Sequence, residues 1–267
     1  MENCLPFHRH DLTDDEWNYI YPICLQFLVC SLGRKIIDLR QNINGILWKI
    51  RNGATWRDIP IEYGAWNTIY KLSRKISKTS FFKTLFSLIA PVENCNTIMF
   101  DSTSIKVHQH AAGARKDAAD SDVNQHIGMS RGGKNTKIHA LVNGDGYPLT
   151  FILTGGNIND NTVAIKLIDS CENKSSIESV LGDKAYGTSE ILSEIINLNA
   201  EICIPPKENT KDPWEIDEKK YKERNLVERF FNGIKQFRGI ATRYEKLASH
   251  FLSLVYLASV MVTLRYI

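Results

Sequence analysis

Asp101 and Asp183 each close an apolar run, IMF before the first and VLG before the second. A carboxylate in such a place is costly to bury unless it is hydrogen-bonded, paired or bound to a cation. The plainer alternative is a turn or cap residue just past a strand end. A third acid, Glu228, lies in YKERNLVERFFNGIKQFR, whose periodicity predicts a helix starting near Lys220. At 3.6 residues per turn, Tyr221, Arg224, Glu228 and Lys235 fall at about 0°, 300°, 340° and 320° around that helix, in one narrow stripe. Leu226, Val227, Phe230, Ile234 and Phe237 share the opposite side, the expected packing face, and Glu223 is expected there too. A polar stripe is also what a solvated helix face presents. An acid flanked by a phenol and two cations nevertheless suits a metal ligand beside a bound phosphate.

Elements must hold these residues in place. Apolar and β-branched runs predict strands over 97–103, 137–142, 149–154, 180–186 and 201–205, with helices at 160–170 and 188–198 between the later ones. Asn143-Gly144 and Gly155-Gly156 punctuate them, and the NGDGYP turn predicts an antiparallel hairpin. The result is an α/β fold around a mixed sheet.

Ahead of Pro91–Asn96 the pattern is helical. In LTDDEW, Thr13 is placed as an N-cap with Glu16 as its capping-box partner. A second helix is predicted over Asp38–Arg51, stopped by Asn52-Gly53, then a turn through WRDIPIEYG and a helical AWNTIYKLSRKISKTSFFKTLFSLI. The expected division is therefore 1–92, a small all-α domain, and 93–267, the α/β domain. Thr68, Tyr70, Lys71, Arg74 and Lys75 would project from one helix as in a helix-turn-helix reader of duplex DNA, although a three-helix bundle gives the same pattern.

Net charge is +3, unevenly spread: residues 31–90 carry +8, residues 151–220 carry −6 and residues 221–267 carry +5. Basic blocks are the footprint of a polyanion partner. Six cysteines without a C-x-x-C pair argue against a zinc ribbon, a thioredoxin-type motif or a secreted disulfide framework. No signal peptide is expected from MENCLPFHRHDLTDDEW, and Leu252–Leu264 is expected to be a core helix, not a membrane span. A reducing cytoplasm follows as the expectation.

The spacing Y-x2-R-x3-E-x6-K met by Tyr221, Arg224, Glu228 and Lys235 resembles the signature of bacterial insertion-sequence transposases of the DDE class. So do DSTSIKVH around Asp101, RGGKNTKIHALV with GYPLTFILTGGNIND, and LGDKAYG around Asp183. LTDDEW with NGILWKIRNGATWRDIPIEYGAWNTIYK resembles the N-terminal DNA-binding region of one family in that group. The resemblance implies a ribonuclease-H-like catalytic domain, with Asp101 on its first strand, Asp183 after its fourth and Glu228 on a later helix. It also implies strand cleavage at transposon ends and strand transfer into target DNA.

Three converging carboxylates would select Mg²⁺, or Mn²⁺ as a substitute, over softer metals. Two such ions would activate a water or a DNA 3′-hydroxyl and stabilise the leaving oxygen. Arg224, Lys235 and Tyr221 would hold phosphates, and Arg131, Lys134 and Lys137, with Arg115 and Lys116, would line the DNA path. Expected partners are double-stranded DNA, as inverted-repeat ends and target, and further copies of the chain in a homodimer or larger assembly. Trp214 is expected in the core, with stacking on a DNA base as the alternative. Two other functions stay open: a metal-dependent nuclease that does not join DNA, and a catalytically silent DNA-binding protein of transposon origin. A transition-metal site on His108, His110, His126 and His139 lacks a supporting ligand spacing.

Overall fold

The computed structural model describes residues 9–29, 38–89, 95–113, 124–171 and 173–266. They fall into two compact units, one holding the described residues within 1–89, 108–123 and 234–267, the other those within 90–107 and 124–233. The compact units thus alternate along the chain. The reason is apolar packing: the C-terminal helix supplies the surface on which the N-terminal helices close.

The helical unit begins with α1 (Asp14–Cys24), where Thr13 and Glu16 make both bonds of a capping box. Asp38 caps α2 (Leu39–Asn52), which ends at Gly53 with φ 66°, the left-handed position that glycine takes without strain. Two short 3₁₀ turns, Trp56–Asp58 and Ile61–Tyr63, precede α3 (Trp66–Lys78). The connection from α2 to α3 is therefore longer than the three or four residues of a helix-turn-helix. The long helical pattern after Ala65 resolves into α3 and a separate α4 (Phe81–Ile89). The Thr79 hydroxyl donates to Ile76 O at 2.8 Å, closing α3 one turn before Phe81 and Phe82 go into the core.

The sheet unit holds β1 (Thr97–Val107), β2 (Gly128–Ser130), β3 (Gly133–Asn143), β4 (Pro148–Gly155), α5 (Ala164–Asp169), β5 (Ser179–Leu181), α6 (Ser189–Asn197), β6 (Glu201–Cys203), α7 (Glu218–Lys222) and α8 (Asn225–Lys235), whose last two residues group with the helical unit. Strand β1 pairs antiparallel with β3 and parallel with β5; β3 pairs antiparallel with β4, and β5 parallel with β6. The order β4-β3-β1-β5-β6, three antiparallel strands followed by two parallel to the first, is ribonuclease-H-like. The short β2, which the polar sequence around it conceals, pairs with the start of β3. Ile98, Phe100, Leu141 and Val180 of the sheet pack with Leu167, Ile168, Ile191 and Ile195 of α5 and α6.

The chain ends, in the helical unit, with α9 (Arg238–Ala241) and α10 (Ala248–Tyr266). By length and composition α10 could cross a membrane, but 67% of its Ala248–Arg265 stretch is buried. It packs on α2, α3 and α4 as a core helix, as its sequence predicts.

Candidate active site

The ladder between β1 and β5 brings two acids together. Met99 pairs with Leu181, and two residues beyond each stand Asp101 and Asp183. Neighbouring strands lie about 4.8 Å apart, so the two backbones run side by side at the carboxyl end of the parallel pair, where α/β sheets place their sites. Gly182, between Leu181 and Asp183, has no room for a side chain: a Cβ there would sit 2.8 Å from the Phe100 ring. That ring packs edge-on to Tyr186 at 4.6 Å and so fixes the 3₁₀ turn Lys184–Tyr186, which Asp183 caps by accepting from Ala185 N at 2.7 Å.

The third acid comes from α8. Val227 and Phe230 are buried, and Phe230 stacks on Phe151 of β4 at 5.7 Å. This leaves Glu228 exposed on the other side of the helix. The single helix expected from Lys220 is instead two, with a break at Glu223 and Arg224. Angles counted across that break do not hold, and Glu223 is exposed instead of packed.

The break has a chemical consequence. Arg224 donates Nη1 to Asp101 Oδ2 at 2.9 Å and Nη2 to Glu228 Oε1 at 2.5 Å, so one guanidinium links the first and third acids. Its Cζ lies 5.9 Å from the Tyr221 ring, a cation–π distance. Burial raises the Asp101 carboxyl above its ordinary value; the Ser102 N–H and Arg224 pull it down, and Asp183 and Glu228 push it up again. Arg224 responds in reverse: its burial favours loss of the proton, but Asp101, Tyr221, Glu228 and Asp183 together hold it above its usual value. Three carboxylates facing one guanidinium leave an excess of negative charge.

Such a donor set suits a hard divalent cation in kind and in charge. Its spacing does not yet do so: among the described residues no three His, Cys, Asp or Glu side chains are gathered closely enough to hold a metal ion. Arg224 is the cation that faces these acids in the structure, paired with Asp101 and Glu228.

The other expected residues are scattered over the two units. Arg131 and Lys134 are exposed at the β2–β3 turn. Lys137 is engaged, donating to Asp160 Oδ1 at 2.7 Å and Ile158 O at 2.8 Å. Lys235 is at the end of α8. Along α3, Thr68, Tyr70, Lys71 and Lys75 are exposed and Arg74 is half-buried. Arg115 and Lys116 lie outside the described residues. Trp214 donates its indole N–H to Ile204 O at 2.8 Å, a packing role. Among the described residues the histidines build no metal site: His139 is buried against Thr154 at 2.8 Å and held down at about 4 mainly by burial, while His108 and His110 pack edge-on to each other beyond the end of β1.

Sequence reasoning missed a second charged constellation, in the helical unit. Lys49 and Glu245 form an ion pair with both side chains buried, and His250 bonds Ser73 Oγ at 2.8 Å beside it. Neither local periodicity nor composition marks partners so far apart in the chain.

Residues 96–262 match the family described as "Transposase DDE domain", and residues 12–86 match one described as "Putative transposase of IS4/5 family". A Brucella ovis protein described as "Putative transposase for insertion sequence element IS6501" is 35% identical over 131 residues, 49% of this chain and 98% of that protein. An uncharacterized protein of Sinorhizobium fredii is 28% identical over 105 residues, 39% of this chain and 83% of its own length. Among solved structures, the piggyBac transposase synaptic complex with hairpin DNA aligns with TM-score 0.47 and 8% identity, over 91% of this chain and 68% of that one.

Proposed function

The chain belongs to the DDE transposase family, and we propose that Asp101, Asp183 and Glu228 are the catalytic and metal-binding carboxylates of its DNA cleavage and strand transfer. The observation that carries this reading is the Arg224 bridge, which joins an acid of β1 to an acid of α8 beside the strand pair that presents Asp183. Mg²⁺, or Mn²⁺ in its place, would supply activation of the attacking oxygen and stabilisation of the leaving one.

The chain's own residues then divide the remaining work. Asp101, Asp183 and Glu228 would hold the metal, and Arg224 beside them would hold a DNA phosphate, because a guanidinium fork matches phosphate as well as carboxylate. Tyr221 braces the same backbone, and Lys235, with Arg131 and Lys134 at the β2–β3 turn, adds phosphate contacts that fix register without reading sequence. Lys137 joins them on release from Asp160. Thr68, Tyr70, Lys71, Arg74 and Lys75 of α3 form the helix-turn-helix-like face that binds the transposon end. The functional division runs near residue 92, between the two family matches. Two DNA ends imply a homodimer or larger assembly, acting where the nucleoid is.

The test uses labelled DNA carrying the flanking ends of the native gene, with Mg²⁺ or Mn²⁺. Cut and joined products are expected. Cutting without joining would make the chain a nuclease, and binding without either would make it a silent DNA-binding protein.

A further inference from the structure

The helical unit carries a cavity of about 590 Å³ that none of the three carboxylates lines. Its size lies within the range of small-molecule sites, about 300 to 1,000 Å³. Its lining is aromatic and cationic. The Trp56 and His250 rings stack at 5.7 Å with an interplanar angle of 15°. Tyr70 stands edge-on to them at 5.3 and 6.4 Å, and Tyr244 also lines the space, 5.0 Å from the His108 ring.

These groups are held, not loose. His250 is fixed by its bond to Ser73, and burial keeps it down at about 4, so it offers a neutral ring face at neutral pH. Buried Arg243 donates Nε to Glu245 O at 2.9 Å and Nη2 to Lys246 O at 3.1 Å, anchoring the backbone that carries Tyr244 and Lys246. Among the described lining residues Glu245 is the one acid, and it is paired with Lys49. With Lys49, Arg74 and Lys246 against this one acid, the lining carries a net positive charge.

Flat aromatic faces recognise a flat aromatic ring by stacking, and nearby cations recognise phosphate. A purely aliphatic ligand would use neither, and an acidic ligand without a ring would use only the second. We propose that this cavity binds one unstacked nucleotide, with its base on the rings of Trp56, Tyr70 and Tyr244 and its phosphate toward Arg74 and Lys246. A base inside a duplex cannot present its face, so the ligand is a free nucleotide or an unpaired residue of a DNA strand. Because a base face is common to all four nucleotides, recognition here is tolerant of sequence.

The test is a binding titration on the full chain that needs no cleavage. Three probes are compared: 2-aminopurine deoxyriboside monophosphate, a short single strand with one internal 2-aminopurine, and that strand annealed to its complement. Saturable quenching of 2-aminopurine emission is expected for the single strand or the free nucleotide, and it is absent for the annealed strand. Quenching by the strand alone assigns the pocket to an unpaired DNA residue, and quenching by the free nucleotide assigns it to the nucleotide itself; either supports the proposal. Tyr244→Ala weakens binding about tenfold, as loss of one stacking face should, Lys246→Ala weakens it severalfold, and Tyr244→Phe, which keeps the ring, retains it. Should Tyr244→Ala fail to fold, Lys246→Ala and Tyr244→Phe still decide the question. No quenching of either unpaired probe by the wild type, or equal affinity in Lys246→Ala, would overturn the proposal. Asp183→Asn keeps the signal, so a failure of the carboxylate assignment is registered separately.

Discussion

Two charged constellations in this chain use the same kinds of side chain to opposite ends. In the helical unit Lys49 and Glu245 stand one to one, with side chains only 2% exposed. Burial works to raise Glu245, but the charge and hydrogen bond of Lys49 more than offset it and hold the carboxyl below its ordinary range. In the sheet unit Asp101 and Glu228 share the one guanidinium of Arg224 with Asp183 nearby, the Glu228 side chain is 49% exposed, and Asp101 is pushed up instead of down. A matched, dry pair needs nothing further. An unmatched acid cluster with one edge in water is a demand for cations, and that imbalance, more than the presence of an ion pair, distinguishes a site from a strut.

The contrast can be broken most severely at the acids. Asp101→Asn and Asp183→Asn should each lower metal-dependent cleavage by about 10³-fold or more, a loss of at least the size seen when one preorganised electrostatic group is removed, with DNA binding retained in a gel-shift assay. Comparable cleavage by either variant would make the cluster a strut after all.

Next in size is the buried pair. Lys49→Met leaves Glu245 charged and uncompensated, which should cost about 3–5 kcal/mol, whereas replacing both partners together with apolar residues should recover most of it. Denaturant unfolding of the single and double variants reads this directly. A mild single variant would mean that water reaches Glu245.

The buried histidines sharpen the comparison through pH. His250 and His139 are both lowered to about 4, chiefly by burial. Between that value and the ordinary 6.5 the unfolded chain binds their protons and the folded one does not. Stability is therefore fully present above 6.5 and falls as pH drops toward 4, by roughly 3 kcal/mol for each group. Unfolding midpoints across this window should slope downward on acidification, and His250→Asn should remove its share of the slope.

The smallest effect concerns α3. Lys71→Ala and Lys75→Ala should weaken duplex binding severalfold and each reduce the salt dependence, log K against log salt, by about one. Unchanged slopes in a fluorescence-anisotropy series would take α3 off the DNA.

Much of this was legible before any coordinates. The five strands β1, β3, β4, β5 and β6 announce themselves as apolar, β-branched runs, β3 and β4 ending at Asn143 and Gly155, and Thr13-x-x-Glu16 marks the start of α1. Asp101, Asp183 and Glu228 stand out because acids are misplaced at the ends of apolar runs or lined up with cations on a helix. What stayed hidden depends on contacts between distant residues. Nothing in the 3.6-residue pattern encodes the break at Glu223 and Arg224, which follows from α8 settling its own apolar face under Val227 and Phe230. That break is what lets Arg224 reach Asp101 as well as Glu228. The three-residue β2 carries too few side chains to show a period, and the Lys49–Glu245 pair is set by tertiary packing alone.

The most direct test of the active-site assignment sets Glu228→Gln against Glu223→Gln in Mg²⁺-dependent cleavage of end-bearing DNA. Both acids are exposed and lie within one short segment, so general charge effects cancel. Loss of cleavage in Glu228→Gln with near-normal cleavage in Glu223→Gln is the predicted result; the reverse would contradict it and move the third carboxylate to Glu223.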